Sequence, residues 1–313
     1  MNASMHNAIR TLHLDTLPAR LPARAADCHK GHFGHVGIVG GAVGMAGAAI
    51  LAGRAALFCG AGRVTVGLLD ERIGLDPNTP ELMLAAPVTA LHLAAPACMV
   101  IGPGLGNSGA ARGWLEQALH TQHPLLLDAD ALNLIAADPG LGEMLASRTQ
   151  PSLITPHPGE AARLLGVSSL DRQSGRQNDR IHAISALAER YRVSVVLKGH
   201  ASLILRQDGQ LWRNTTGNVG MAAPGMGDVL CGIIAALCTQ GLSLDDAAVH
   251  GVWLHGAAGD RAVMQRNSVR TIARAGIHTD SQTDAQSQPQ PGPVGLTASE
   301  LIVQARQLIN EMV

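Results

Sequence analysis

The chain has 313 residues, 46% hydrophobic and only 2% aromatic, with 23 Lys and Arg against 24 Asp and Glu. That length fits one large α/β domain or two smaller ones, and the formal charge of −1 argues against a nucleic-acid partner, which normally meets a basic face. Five scattered cysteines without a C-x-x-C pair predict a reducing, cytoplasmic setting, and neither a secretory h-region nor a bilayer-length apolar run is present.

In chain order, residues 1–26 read as a polar, Pro-containing tail, with order beginning near Lys30. Val36–Gly40 reads as a buried strand, 46–59 as a helix of small residues, and Arg63–Leu69 as a second strand. Ala97–Ile101 is a third strand, ending in Gly102-Pro103-Gly104-Leu105-Gly106, and a helix follows through Trp114 and Leu119. Pro124–Leu127 ends in Asp128-Ala129-Asp130. Ser152–Thr155 ends in Pro156-His157-Pro158-Gly159-Glu160, with helices near 159–166 and 174–191. Val193–Leu197 ends in Lys198-Gly199. Ala201–Arg206 and Gln210–Asn214 read as a hairpin, followed by helices near 226–239 and 243–262. Arg266–Pro293 is polar and reads as a disordered insertion, and a last helix spans about 297–311. Short apolar strands alternating with helices predict a mostly parallel sheet covered on both faces. With so few aromatics, its core must be aliphatic, with Ala and Gly at close contacts.

The most informative segment runs from Asn214-Thr215-Thr216-Gly217-Asn218 through Pro224-Gly225-Met226-Gly227-Asp228 into the apolar run Val229–Leu237. It is a glycine-rich turn opening into a helix, with one acid at the junction. First-turn N–H groups lack helical partners and lie at the positive end of the macrodipole. Glycines let such a backbone approach a phosphate. Asp228 is either a cap or a base for an attacking hydroxyl, and the segment points to phosphoryl transfer.

Other polar motifs follow strands, where open α/β sheets place ligands. Lys198 either neutralises phosphate charge or is solvated. Two prolines hold His157 extended, which suits ligand contact, whereas Glu160 reads as a first-turn helix acid. Asp128 and Asp130 either face a hydrated Mg²⁺ or a substrate hydroxyl, or stabilise the turn and cap a helix. Gly40, Gly41, Gly44 and Gly47, with Asp70 ending the next strand, keep a Rossmann dinucleotide site as a rival. His29, His32 and His35 read as loop histidines, and His250 and His255 as structural. No metal site built by the protein is expected.

Six blocks then occur in order: Lys30-Gly-His-Phe-Gly34, Gly102-Pro-Gly-Leu-Gly106, Asp128-Ala-Asp-Ala-Leu132, Thr155-Pro-His-Pro-Gly-Glu160, Lys198-Gly199, and Asn218-Val-Gly-Met-Ala with Gly225-Met-Gly-Asp-Val-Leu230. Together, over about residues 27–262 and again at the final helix, they resemble the ADP- or ATP-dependent NAD(P)H-hydrate dehydratases. The resemblance implies a three-layer ribokinase-like fold, a mostly parallel central sheet with helices on both faces, forming one domain over 27–313.

It also implies a repair reaction. A phosphoryl group from ADP or ATP, with Mg²⁺, passes to the C6 hydroxyl of the S form of hydrated NADH or NADPH, and phosphate then leaves. Asp228 would deprotonate the hydroxyl, and the N–H groups of Gly225 to Gly227 would hold the transferring charge. Lys198, Gly199, His200, Ala201, Ser202 and Gly227 would line the adenine nucleotide. Ala48, Gly106, His157 and Asp228 would contact the hydrated dinucleotide. A homotetramer and a separate epimerase are implied as well. Met226 departs from the Thr or Ser of many members. The alternatives are an ATP-dependent vitamin or sugar kinase of the same fold, and a nucleotide binder without catalysis.

Overall fold

The computed structural model describes residues 9–94, 97–169, 177–275 and 294–312. In chain order the elements begin with β1 (Arg10–Thr11), β2 (His35–Gly40), α1 (Ala46–Phe58), β3 (Arg63–Leu68), β4 (Met83–Ala85) and α2 (Pro87–Leu91). They continue with β5 (Ala97–Ile101), α3 (Gly109–Leu119), β6 (Leu125–Leu127), α4 (Asp130–Ala137), α5 (Pro139–Ala146), β7 (Ser152–Ile154) and α6 (Pro158–Leu165). The remainder are α7 (Gln177–Tyr191), β8 (Ser194–Leu197), β9 (Leu203–Leu205), β10 (Leu211–Arg213), α8 (Met226–Thr239), α9 (Leu244–Ala275) and α10 (Ala298–Met312).

The strands form one ten-stranded sheet in the order β1-β10-β9-β8-β7-β6-β5-β2-β3-β4. Among the described residues only β9 runs antiparallel to its neighbours. Alternation along each strand feeds two cores. Val36, Ile38, Cys98 and Val100 face one core, with the small side chains of α1 and the apolar faces of α8, α9 and α10. Val39, Met99, Ile101, Leu125 and Leu127 face the other, with residues of α2 through α7. The central strands are therefore buried on both faces, which is why they read as nearly continuous apolar runs.

Strand order reverses between β2 and β5. The helix after β2 packs on one face of the sheet and the helix after β5 on the other. Their preceding loops meet at the C-terminal ends of the strands, where such a switch point opens a crevice. The loops are joined there: Gly41 N donates to the Pro103 carbonyl at 2.9 Å and Ala42 N to that of Gly104 at 2.7 Å.

The expected strands and long helices are present, with four additions and two corrections. Short β4, α2, α4 and α5 are additions. Residues 9–26 are not a detached tail. β1 pairs with β10, and Leu12 is fully buried, so the sheet edge recruits this segment. α9 continues to Ala275, past the expected start of the insertion at Arg266, whose guanidinium pairs with Glu300 of α10 at 2.6 Å. The rest of that insertion, 276–293, lies outside the described residues. Among the described residues no helix is long and apolar enough to cross a membrane, and the five cysteines are free thiols.

Candidate active site

α8 begins at the turn singled out by its glycines. Gly225 is the N-cap residue at φ 86°, in the left-handed region, and no side chain caps the helix. A Cβ at Gly225 would lie 2.6 Å from Leu51 Cδ1 of α1. The first-turn N–H groups thus have no side-chain acceptor at the N-cap, and Asp228, in that same turn, is not spent as one. The Met226 side chain is buried in the core, so this residue brings to the turn an amide and no hydroxyl.

Around the turn lies one cation among several acids. Lys198, at the end of β8, bonds Asp128 Oδ1 at 2.6 Å and sits 3.9 Å from Glu160 Oε2. The Lys198 side chain is 18% exposed and that of Asp128 2%. Burial works against the lysine charge, but the Asp128 and Glu160 carboxylates outweigh it and hold the group above its usual range. The second Asp128 oxygen accepts from the Cys231 thiol of α8 at 3.3 Å. Burial first, and then the nearby Asp128 carboxylate, push that thiol up, so it stays protonated. Asp128 is therefore not a turn-stabilising residue, and Lys198 is not a solvated strand end.

Gly227 brings the pair to the helix. A Cβ there would lie 3.2 Å from Lys198 Nζ and 3.3 Å from Asp128 Oδ2. Asp228 is raised to about 6, mainly by burial and next by the Asp128 carboxylate, with Lys198 opposing. A carboxylate poised there is ionised at neutral pH yet basic enough to accept a proton. His255 of α9 borders the same turn. Burial lowers it to about 4, against the Met226 backbone, which favours the charged ring, so it stays neutral.

The other expected residues occupy the surrounding loops. His157 caps α6: its Nδ1 accepts from Gly159 N at 2.9 Å, and Glu160 Oε2 accepts from His157 N at 2.7 Å. Glu160 thus serves the cap and also reaches Lys198; burial raises it despite that cation. Gly106 N donates to Asp130 Oδ2 at 2.8 Å, which ties the β5–α3 loop to the start of α4. Ala48 lies in the first turn of α1, its Cβ 3.1 Å from where a Cβ on Gly104 would stand. Gly106 also borders a cavity of about 470 Å³ lined by Val43, Met45, Leu105 and Trp114. Gly199, His200, Ala201 and Ser202 form the turn between β8 and β9, held from beneath by Arg180 of α7.

Asn214 and Asn218 anchor the turn. Asn214 Oδ1 accepts from Thr216, and Asp260 of α9 takes Gly217 N at 2.8 Å and Asn218 Nδ2 at 3.0 Å. The Rossmann rival loses its acid, because Asp70 is engaged by the Arg72 guanidinium at 2.7 and 2.8 Å. His35 is no loop residue: it lies in β2 with Nε2 2.8 Å from Thr65 Oγ1. Residues that sequence reasoning missed here are Cys231 and Arg180, and the pairing role of Glu160.

Gly102 has no tolerance for a side chain. It sits at φ 125°, and a Cβ would fall 1.8 Å from the Asp128 carbonyl oxygen. Gly102→Ala is expected to cost at least about 2 kcal/mol and to displace Asp128 from Lys198. Thermal denaturation checks this; an unchanged Tm contradicts it.

Comparison with known proteins bears on this geometry. A family model described as NAD(P)H-hydrate dehydratase matches residues 36–278. The chain is 41% identical to an ADP-dependent (S)-NAD(P)H-hydrate dehydratase of Neisseria meningitidis, over 78% of this chain and 82% of that protein. It is 45% identical to a bifunctional NAD(P)H-hydrate repair enzyme of Coxiella burnetii, over 77% of this chain and 48% of that one. The chain thus spans about half the length of that and other bifunctional relatives. Among solved structures, an ADP/ATP-dependent NAD(P)H-hydrate dehydratase of Bacillus subtilis, co-crystallized with ATP/Mg²⁺, superposes with a TM-score of 0.72 at 27% identity, covering 97% of this chain and 99% of that one.

Proposed function

This chain belongs to the NAD(P)H-hydrate dehydratase family, and on that premise we propose that it restores NADH and NADPH from the S form of their hydrates, using ADP or ATP as phosphoryl donor. The observation that carries the reading is the bare first turn of α8, with Asp228 ionisable beside it at about 6.

In this reading Asp228 takes the proton of the C6 hydroxyl as that oxygen attacks the donor's terminal phosphorus. The N–H groups of Gly225 to Gly227 accept the charge that gathers on the transferring group, and Lys198 supplies positive potential from the side of Gly227. The donor's terminal P–O bond breaks, leaving AMP or ADP. The C6–O bond then breaks, with the electron pair leaving on phosphate. The ring nitrogen supplies the replacement pair, and the conjugated dihydronicotinamide is restored once the neighbouring carbon gives up a proton.

Ala48, Gly106 and His157 are proposed to contact the hydrated dinucleotide. Lys198 to Ser202, with Gly227, are proposed to line the adenine nucleotide. Mg²⁺ is proposed to accompany the nucleotide donor, where it would offset phosphate charge. The Bacillus relative co-crystallized with ATP/Mg²⁺ supports that pairing of nucleotide and metal. The reading extends to a cytoplasmic homotetramer and to a separate epimerase as pathway partner; the bifunctional relatives carry a second function beside this one.

Incubating hydrated NADH with the protein and ADP or ATP is expected to restore absorbance in the reduced-nicotinamide band, with phosphate and AMP or ADP as products. No recovery with either nucleotide, from folded protein, rejects the proposal. A stable phosphorylated product by mass would instead favour a small-molecule kinase.

A further inference from the structure

Arg180 lies in the first turns of α7, and its head is turned under the β8–β9 loop. Nη1 donates to the carbonyls of His200 at 2.6 Å and Ala201 at 3.2 Å, and Nη2 to that of Leu197 at 3.3 Å. The loop needs such a clamp. Ala201 is held at φ 52°, which costs a residue bearing a Cβ, and Gly199 lies at φ 135°. Ser202 Oγ closes the turn onto the Gly199 carbonyl at 3.0 Å.

A trans peptide points its N–H opposite to the preceding C=O. Drawing the carbonyls of His200 and Ala201 toward Arg180 therefore turns the N–H groups of Ala201 and Ser202 away from it. The same rule accounts for Lys198: with the Leu197 carbonyl on Arg180, Lys198 N points the other way and donates to the Pro156 carbonyl at 2.9 Å. That bond fixes the backbone from which Lys198 reaches Asp128. The planar fork of an arginine reaches these three carbonyls from two fixed nitrogens, which a single ammonium cannot reproduce.

We infer that Arg180 is a positioning residue for the adenine nucleotide, presenting the amides of Ala201 and Ser202 to the donor without touching it. This rests on the proposal that Lys198 to Ser202 line the nucleotide. The test is calorimetric titration of wild type, Arg180→Ala and Arg180→Lys with ADP and with ATP plus Mg²⁺, alongside steady-state KM values. R180A is expected to weaken both nucleotides about 10- to 100-fold, as loss of hydrogen bonds from a charged donor does. The KM for hydrated NADH is expected to stay near the wild-type value, and amide exchange over 199–202 to quicken. R180K is expected to recover only part of the loss.

Wild-type nucleotide affinity in folded R180A overturns the inference and leaves the nucleotide loop standing. A wild-type protein that binds neither ADP nor ATP overturns both. Should R180A fail to fold, R180K decides: weakened nucleotide binding with an unchanged dinucleotide KM supports the inference, and wild-type affinity overturns it.

Discussion

Asp228→Asn is expected to lower nucleotide-driven dehydration by about 10²–10⁴ while sparing ADP and ATP binding. The substitution keeps the shape of the first turn of α8 and removes only the proton acceptor. The wild-type rate should climb with pH through the value of about 6 set by burial and by Asp128, because only the ionised carboxylate can act. The variant should lack that limb.

Stability should move the opposite way. Asp228 has a folded-state pKa above its ordinary value of 3.8, so folding favours its protonated form. That contribution is fully present below the ordinary value and lost as pH rises through about 6. At pH 7–8 the wild type therefore carries a buried charge that the variant does not. D228N is expected to be more stable there by about 1–3 kcal/mol, an advantage that fades below pH 4 or so. Chemical denaturation at two pH values measures it. A variant that is both inactive and less stable at pH 8 would mean that Asp228 is a structural cap.

Lys198→Met is the second large effect. It keeps the length of the stem but leaves Asp128 and Glu160, whose side chains are 2% and 6% exposed, without their cation. Removing one partner of a buried pair costs about 3–5 kcal/mol. Glu160, already raised by burial, then loses the cation that opposes that shift and is held further toward its protonated form. The loss should therefore be smallest in acid and grow as pH rises above the ordinary carboxylate range. Activity should fall by about 10²–10³, the cost of removing one stabilising group from a transferring oxyanion. A pH-independent stability change, measured by urea denaturation from pH 5 to 8, would contradict this account of the pair.

What the sequence disclosed follows from the range of each interaction. The Gly225–Asp228 turn was legible because a turn and a helix start are local, and the strands because burial on both faces makes them apolar throughout. A helix start at Asp130 was one of two readings, and its form was not legible: Ala129, not Asp130, is the N-cap residue, at φ 49°, an unusual conformation for alanine. β1 was hidden because two residues have no periodicity; their partner is Trp212–Arg213, about two hundred positions away. The site's charges were visible as residues but not as pairs. Lys198 looked like a strand end until the sheet brought Asp128 beneath it. Arg180, in a polar helix, carried no signal at all, since its role lies in three backbone carbonyls of another segment.

The most direct test of the claim that this turn activates an alcohol is to follow the oxygen itself. Hydrated NADH labelled with ¹⁸O at the C6 hydroxyl should, when dehydrated with ADP or ATP, deliver its label to inorganic phosphate, one labelled oxygen for each NADH restored. Label found in water, with unlabelled phosphate, would contradict phosphorylation at that oxygen and with it the role given to Asp228 and the bare amides of α8.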